Sequence, residues 1–252
     1  MKMRTNVVDH WADLRRYTAA RIAQGRSGAS LPTTAVLDFA LAHAQARDAV
    51  HTPLDTVALA TQLGALGENL LQVQSRAGDR AAYLRRPDWG RRLDERSASQ
   101  LAQASDKGAD LVLVLSDGLS SRAVQKHAAP LLAALRPLLA DYRWAPLLVA
   151  TQARVALADE VGALLQARLA ISLIGERPGL SSPDSLGAYL TFGPQPGRSD
   201  AERNCVSNIR PEGLPYDEAA QQIAQLARAA LRLSMTGVNL RLGAAPSALR
   251  AE

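Results

Sequence analysis

The stretch that most constrains the fold is a short apolar run at residues 169–174, which ends abruptly in the sequence Gly-Glu-Arg-Pro-Gly at residues 175–179. The run is partly β-branched and has the length of a strand, which predicts a strand buried in a parallel sheet. Pro178 ends the strand, and the glycines let the backbone turn or approach a ligand closely. Two opposite charges therefore follow the carboxyl end of a strand, the edge at which open α/β sheets bind ligands.

Taken alone, this loop has two interpretations. It is either an ordinary exit from a strand that carries a Glu176–Arg177 surface pair, or a ligand-binding loop in which Arg177 orients Glu176. The local pattern by itself favours the ordinary exit, because short motif matches are only hypotheses.

Further strands are predicted along the second half of the chain. A continuous apolar run at residues 111–115 has the pattern of a strand buried on both faces. Similar runs follow at residues 144–150, 189–192 and 204–209, and helical segments separate most of them. Strands that alternate with helices predict an α/β fold with a Rossmann-like, mostly parallel sheet flanked by helices, assigned to residues 106–252.

The first part of the chain, residues 1–105, has no convincing strand pattern and is predicted to be an N-terminal helical subdomain. Helical patterns cover residues 9–27, 35–50, 55–72 and 93–104. Between the last two, five arginines flank Tyr83 and Trp89 in residues 80–92. This composition is typical of interfaces and predicts a subunit contact, although a solvated surface is the alternative.

Charge and composition favour some ligand classes over others. The net charge is +5, supplied mostly by arginines that are interspersed with acidic residues, and only 4% of residues are aromatic. Basic stripes and stacking platforms for nucleic acid are therefore absent from the pattern, so nucleic-acid binding ranks low. A phosphate-bearing ligand or an acidic protein partner fits the arginines better.

Cysteine usage and targeting signals predict a cytoplasmic protein. One cysteine permits neither an internal disulfide nor a cysteine-rich metal site. The first residues lack the apolar core of a signal peptide, and no apolar run has membrane-spanning length. The four histidines have no metal-ligand spacing, and neither a Gly-x-Gly-x-x-Gly nor a Walker motif occurs. No self-sufficient catalytic centre is predicted.

Seven stretches taken together closely resemble the small (light) subunit of ethanolamine ammonia-lyase. They run in the family's order, and the combination of GERPGL, SDGLS and CVSNIR is specific, so the resemblance reverses the preference for an ordinary strand exit. The stretches are residues 21–32, 43–50, 79–93, 116–120, 152–162, 175–180 and 203–213.

The resemblance implies one subunit of an adenosylcobalamin-dependent lyase that converts ethanolamine to acetaldehyde and ammonia by a radical mechanism. In such an enzyme the large subunit carries the substrate site, and the small subunit helps to hold base-on cobalamin and is active only with its partner. The chemistry belongs to the cofactor, and the protein supplies binding and orientation. The resemblance leaves packaging within a bacterial microcompartment open.

Carried over by motif, the resemblance implies cofactor contacts at Val155, Glu176 and Cys205, with no catalytic residue and no metal ligand in this chain. Val155 can offer an amide or an apolar contact, and Glu176 can accept hydrogen bonds from corrin amides or the ribose. Cys205 can pack its soft side chain against the ligand. Three further candidates follow the first predicted strand: Ser116, Asp117 and Ser120.

Two other functions remain as alternatives. A stand-alone corrinoid or nucleotide carrier would need no large subunit, so co-elution with a large subunit distinguishes it. A nucleic-acid-binding protein would retain DNA or RNA with steep salt dependence, and it ranks below both.

Overall fold

The computed structural model describes residues 11–67 and 70–240, which form helices packed on a six-stranded sheet. The strands lie in the order β1-β3-β2-β4-β5-β6. Their bounds are β1 Leu70–Gln74, β2 Leu111–Ser116, β3 Leu147–Thr151, β4 Leu169–Gly175, β5 Leu186–Phe192 and β6 Asn204–Ile209.

Four of the described α-helices begin at a residue whose side chain caps them. Asp55, Asp79, Asp94 and Ser120 each accept a hydrogen bond from a backbone N–H in the first turn of the helix that follows. Across the described residues, every helix is too short or too polar to cross a membrane. The helix bounds are α1 Thr33–His51, α2 Thr56–Gly64, α3 Arg80–Arg85, α4 Glu95–Ala102, α5 Ser121–Leu138, α6 Leu157–Leu164 and α7 Tyr216–Leu233.

Two apolar layers hold the sheet between helices. Because successive side chains of a strand point to opposite faces, Leu113 of β2 packs in the layer that contains α5 and α7, whereas Val112 and Val114 pack in the layer that contains α4 and α6. Every residue of β2 and β4 is buried, as the continuous apolar runs predict.

The structure confirms the α/β class, but the sheet is mixed, and the mostly parallel, Rossmann-like arrangement is not confirmed. Strands β1, β3, β2 and β4 pair in parallel, whereas β5 is antiparallel to β4 and β6 is antiparallel to β5. Residues 176–185, between β4 and β5, contain no helix, and a parallel return needs a longer crossover than such a loop provides.

The expectation of a strand-free N-terminal region is wrong, because Leu70–Gln74 forms β1 and pairs in parallel with β3. The helix predicted at residues 55–72 ends at Gly64. An N-terminal helical subdomain is therefore not confirmed, and the division near residue 106 stays a prediction. Of the helix predicted at residues 9–27, the structure has a 3₁₀ helix at Ala12–Tyr17, and residues 9–10 lie outside the described residues.

Candidate functional site

Two glycines bring the loops after β2 and β4 into backbone contact. A Cβ atom on Gly175 would lie 2.0 Å from the carbonyl oxygen of Ser120, and one on Gly118 would lie 2.2 Å from the carbonyl oxygen of Gly175. Gly118 also has a φ of +56°, which disfavours other residues. The N–H of Leu119 donates to Gly175 O at 2.9 Å. The SDGLS and GERPGL motifs therefore meet at positions that only glycine fits.

Asp117 ties the loop after β2 to the loop after β3. Its buried carboxylate accepts hydrogen bonds from the N–H groups of Gln152 at 2.9 Å and Ala153 at 3.0 Å, and Arg80 Nη1 lies 3.6 Å away. Burial raises the pKa of Asp117 above its ordinary value, against the opposing effect of the two amides and of Arg80. Asp117 therefore orders the loop that carries Val155.

The other two candidates after β2 are also internal. Ser120 Oγ donates to Pro183 O at 2.8 Å and accepts from Ala123 N at 3.4 Å, so it caps α5 and fastens the loop after β4. Ser116 Oγ is buried and has no hydrogen-bond partner among the described residues. Asp117 and Ser120 thus shape the site through the backbone that they hold.

A cavity of about 400 Å³ opens at the carboxyl ends of β2 and β4. Val155 and Glu176, predicted from separate motifs, both lie on its wall, so the fold brings these two candidates together. The lining residues are Tyr83, Gly118, Leu119, Arg154, Val155, Ile174, Gly175, Glu176, Arg177 and Tyr189.

Glu176 is held by the strands beside it. Its Oε2 accepts hydrogen bonds from Ser185 Oγ and, at 3.3 Å, from the N–H of Asn208. Asn208 has a φ of +58° and lies beside the register shift between β5 and β6, which frees its N–H from the ladder. A Cβ atom on Gly187 would lie 2.7 Å from Glu176 Oε1, so the carboxylate occupies space that a glycine leaves.

The expected Glu176–Arg177 pair is wrong, because the described residues contain no ion pair between these side chains and Ser185 and Asn208 hold the carboxylate instead. Sequence reasoning missed both partners. The Ser and Asn residues stand in the chain without any spacing that links them to Glu176, and only the register of the sheet brings them together.

Cys205 lies next to the cavity through Tyr189. Ala188 of β5 packs toward α5 and α7, so Tyr189 points to the opposite face, where Cys205 of β6 lies opposite it in register. Tyr189 and Cys205 are cross-strand neighbours, but only Tyr189 lines the cavity, and Cys205 is exposed beside it. Desolvation raises the pKa of Cys205, as does the negative charge of Glu176, so the group is a neutral thiol at neutral pH.

Two arginines that the sequence did not single out flank the cavity. The guanidinium carbons of Arg80 and Arg154 lie 4.7 Å and 4.3 Å from the ring centroid of Tyr83, whose hydroxyl donates to Ala153 O at 3.2 Å. Arg154 also donates its backbone N–H to Gly90 O at 2.7 Å. Tyr83, from the Arg- and aromatic-rich segment of residues 80–92, thus builds part of the cavity wall.

A buried ion pair fastens α6 to the far end of β5. Arg203 Nη1 and Nη2 each lie 2.7 Å from an oxygen of Asp159, and Nη1 also donates to Thr191 Oγ1 at 2.8 Å. The two side chains are only 2% and 1% exposed. This pair, also missed from sequence, joins the 152–162 and 203–213 motifs.

The motif order, now placed in a fold, agrees with comparisons against known proteins. The family model described as ethanolamine ammonia-lyase light chain (EutC) matches residues 8–241. The chain belongs to the ethanolamine ammonia-lyase light-chain family.

Curated relatives named ethanolamine ammonia-lyase small subunit support that membership. The chain is 56% identical over 232 residues to the one from Bradyrhizobium diazoefficiens, covering 91% of this chain and 89% of the relative. It is 54% identical over 236 residues to the one from Pseudomonas putida strain W619, covering 92% and 87%. The light-chain family predicted from the seven motifs is confirmed, and the relatives' names describe a subunit of a lyase.

Proposed function

We propose that this chain is the small subunit of an adenosylcobalamin-dependent ethanolamine ammonia-lyase and holds base-on cobalamin against a large subunit. The observation that carries the proposal is the convergence of Val155 and Glu176 on one cavity, with Cys205 beside its wall through Tyr189. Family membership supports the proposed reaction, the conversion of ethanolamine to acetaldehyde and ammonia.

The cavity suits one edge of a corrinoid. Cavities of roughly 300–1,000 Å³ enclose drug-sized ligands, and a corrinoid is larger than these, so about 400 Å³ accommodates only part of it. The rest of the ligand then needs a second protein surface, which a large subunit would provide. The wall offers an acceptor at Glu176 and apolar area at Val155 and Ile174, a composition that suits a ring edged with amides and methyl groups.

In the proposed enzyme adenosylcobalamin supplies the radical chemistry through homolysis of its cobalt–carbon bond. The residues of this chain position the ligand and shield it from water. Glu176, fixed by Ser185 and the Asn208 N–H, has Oε1 left to accept a hydrogen bond from the ligand. Val155 covers the ligand's edge from the cavity wall, the exposed Cys205 beside that wall packs its neutral thiol against the ligand, and this chain supplies no group that acts on substrate.

The proposed partner surface is the N-terminal segment, residues 11–51. Only Ala42 and Ala49 are buried within it, and contiguous exposed apolar side chains mark interaction surfaces. We propose that the large subunit covers this segment. Its exposed large apolar side chains are Trp11, Leu14, Tyr17, Ile22, Leu31, Val36, Leu37, Phe39 and Leu41.

The test is co-purification with the large subunit followed by cobalamin titration of the complex. The complex should deaminate ethanolamine, and this chain alone should not. Glu176→Ala should raise the cobalamin Kd about tenfold, since a hydrogen bond to a charged group contributes about 1.5–3 kcal/mol. The KM for ethanolamine should change less than twofold. Glu218→Ala, which removes an exposed carboxylate on α7, is the matched control.

Two outcomes would contradict the proposal in different ways. Unchanged cobalamin affinity in the Glu176→Ala complex removes Glu176 from the site. Binding of cobalamin by this chain, with no co-elution of a large subunit, favours the stand-alone carrier over the lyase subunit.

A further inference from the structure

Arg154 carries an unsatisfied donor at the cavity. Its Nε is buried and has no hydrogen-bond acceptor among the described residues, and its guanidinium lies over the Tyr83 ring on the cavity wall. A buried donor without an acceptor is rare in folded proteins. No acceptor among the described residues takes a hydrogen bond from the Arg154 side chain, so a ligand acceptor in the cavity that Arg154 lines would be its first partner.

The charge around Arg154 selects the kind of acceptor. The charged side chains that line the cavity are Arg154, Arg177 and Glu176. Glu176 Oε2 is already engaged by Ser185 and Asn208. Arg80, over the same tyrosine ring, adds a second guanidinium whose charge Asp117 offsets at 3.6 Å. The wall near Tyr83 is therefore positive on balance, which favours an anionic acceptor over a neutral one.

A guanidinium presents a planar set of donors that matches the oxygens of a phosphate. We propose that Arg154 recognises the phosphodiester of the cobalamin nucleotide loop, an assignment that rests on the proposed function. Glu176 accepts hydrogen bonds and Arg154 donates them, so the two side chains distinguish the two kinds of polar group on the ligand. The cavity thereby fixes the ligand's orientation.

The decisive experiment measures binding rather than turnover, in the complex of this chain with the large subunit. Equilibrium dialysis gives the Kd of three ligands: hydroxocobalamin, cobinamide, which keeps the corrin amides but lacks the nucleotide loop, and cobinamide phosphate, which restores a phosphate. Arg154→Ala should raise the Kd of hydroxocobalamin at least tenfold and that of cobinamide phosphate severalfold, and it should leave the Kd of cobinamide within twofold.

Three further variants separate charge from packing. Arg154→Met keeps a long stem over Tyr83 without the charge and should reproduce the loss, which excludes misfolding as its cause. Arg154→Lys keeps the charge without the fork and should give an intermediate Kd. Arg122→Ala removes an exposed arginine on α5 and should change nothing.

Each contrary outcome has one meaning. If Arg154→Ala weakens the binding of hydroxocobalamin and cobinamide equally, Arg154 binds a corrin carbonyl. If it does not weaken the binding of hydroxocobalamin, Arg154 binds neither group. Either result overturns the phosphodiester assignment alone. If the unsubstituted complex binds none of the three ligands, the proposed function and the assignment are both overturned.

Discussion

The sheet region buries its apolar side chains, whereas the N-terminal segment leaves most of its large apolar side chains exposed. In β2 and β4 every residue is buried, and the loops that follow them pack so closely that two positions accept only glycine. In residues 11–51 nine large apolar side chains are exposed and only two alanines are buried. Burial of an apolar side chain contributes about 1.5–3 kcal/mol, so the sheet region stabilises itself and the segment does not.

The two regions nevertheless touch at the proposed site. Arg21 Nη2 donates to Leu180 O at 3.3 Å, and Ser181 Oγ donates to Ala19 O at 3.2 Å. Both contacts join the segment to the loop that carries Glu176. A partner that covers the segment, as proposed, would therefore also reach the loop that carries Glu176.

The largest expected effect is loss of the buried ion pair. Arg203→Ala leaves Asp159 charged and buried without its bidentate partner, and breaking such a pair costs about 3–5 kcal/mol. Urea unfolding followed by circular dichroism measures the free energy of unfolding. Arg86→Ala, which breaks the exposed pair with Asp88, should give no measurable loss. Equal stability of the two variants would contradict the structural role of Arg203.

The next effect tests the contact between the two motif loops. Gly175→Ala places a methyl group 2.0 Å from a backbone oxygen that cannot move aside, and such overpacking costs about 1–3 kcal/mol or more. Gly78→Ala is the control, because no atom lies within 4 Å of its added methyl group. We expect a lower urea midpoint for Gly175→Ala only. If Gly175→Ala instead keeps the unsubstituted midpoint, as Gly78→Ala should, the two loops do not meet as described.

Sequence reasoning succeeded where the information is local. The runs in β2 and β4 needed no alternation because both faces of these strands are covered, and the glycine-containing loops after them were recognised from adjacent residues. It failed at β1: Leu-Leu-Gln-Val-Gln continues an Ala- and Leu-rich helical pattern, and only pairing with β3, which lies more than seventy residues later, makes it a strand. At such positions, pairing with a distant strand outweighs the local helical propensity.

The residues of the site also divide into those that local sequence predicted and those that it did not. The motif that contains Glu176 was identified from sequence, but the partners of its carboxylate were not: Ser185 comes just before β5, and the N–H of Asn208 is presented by a register shift between β5 and β6. Arg154, in the loop after β3, and Tyr83, in α3, meet across the fold although they are far apart in the chain. Distances of this kind are set by how helices pack on the sheet, and no residue spacing encodes them.

Gly187→Ala tests whether the sheet positions the proposed ligand contact. The added methyl group would lie 2.7 Å from Glu176 Oε1, the end of a side chain that can shift, so we expect a stability loss of about 1–2 kcal/mol. Displacing the carboxylate should raise the cobalamin Kd of the assembled complex about tenfold. Gly187→Ala combined with Glu176→Ala should bind no more weakly than Glu176→Ala alone, whereas additive losses would assign Gly187 a separate role.

The smallest effect on folding, and the sharpest test of the contrast, lies in the N-terminal segment. Leu37 and Leu41 are one helical turn apart on α1 and are 62% and 59% exposed, so Leu37→Ser and Leu41→Ser should each change the free energy of unfolding of this chain by less than about 0.5 kcal/mol. The same change at the fully buried Leu63 of α2 should cost at least about 3 kcal/mol.

Association with the large subunit should respond in the opposite order, because the exposed leucines should matter more to it than to folding. A surface that another subunit covers loses apolar burial with each serine, so the Kd for the large subunit should rise about tenfold for the double variant, measured by sedimentation. If the double variant associates normally, the exposed leucines are not part of the contact, and the segment's apolar face then needs another occupant.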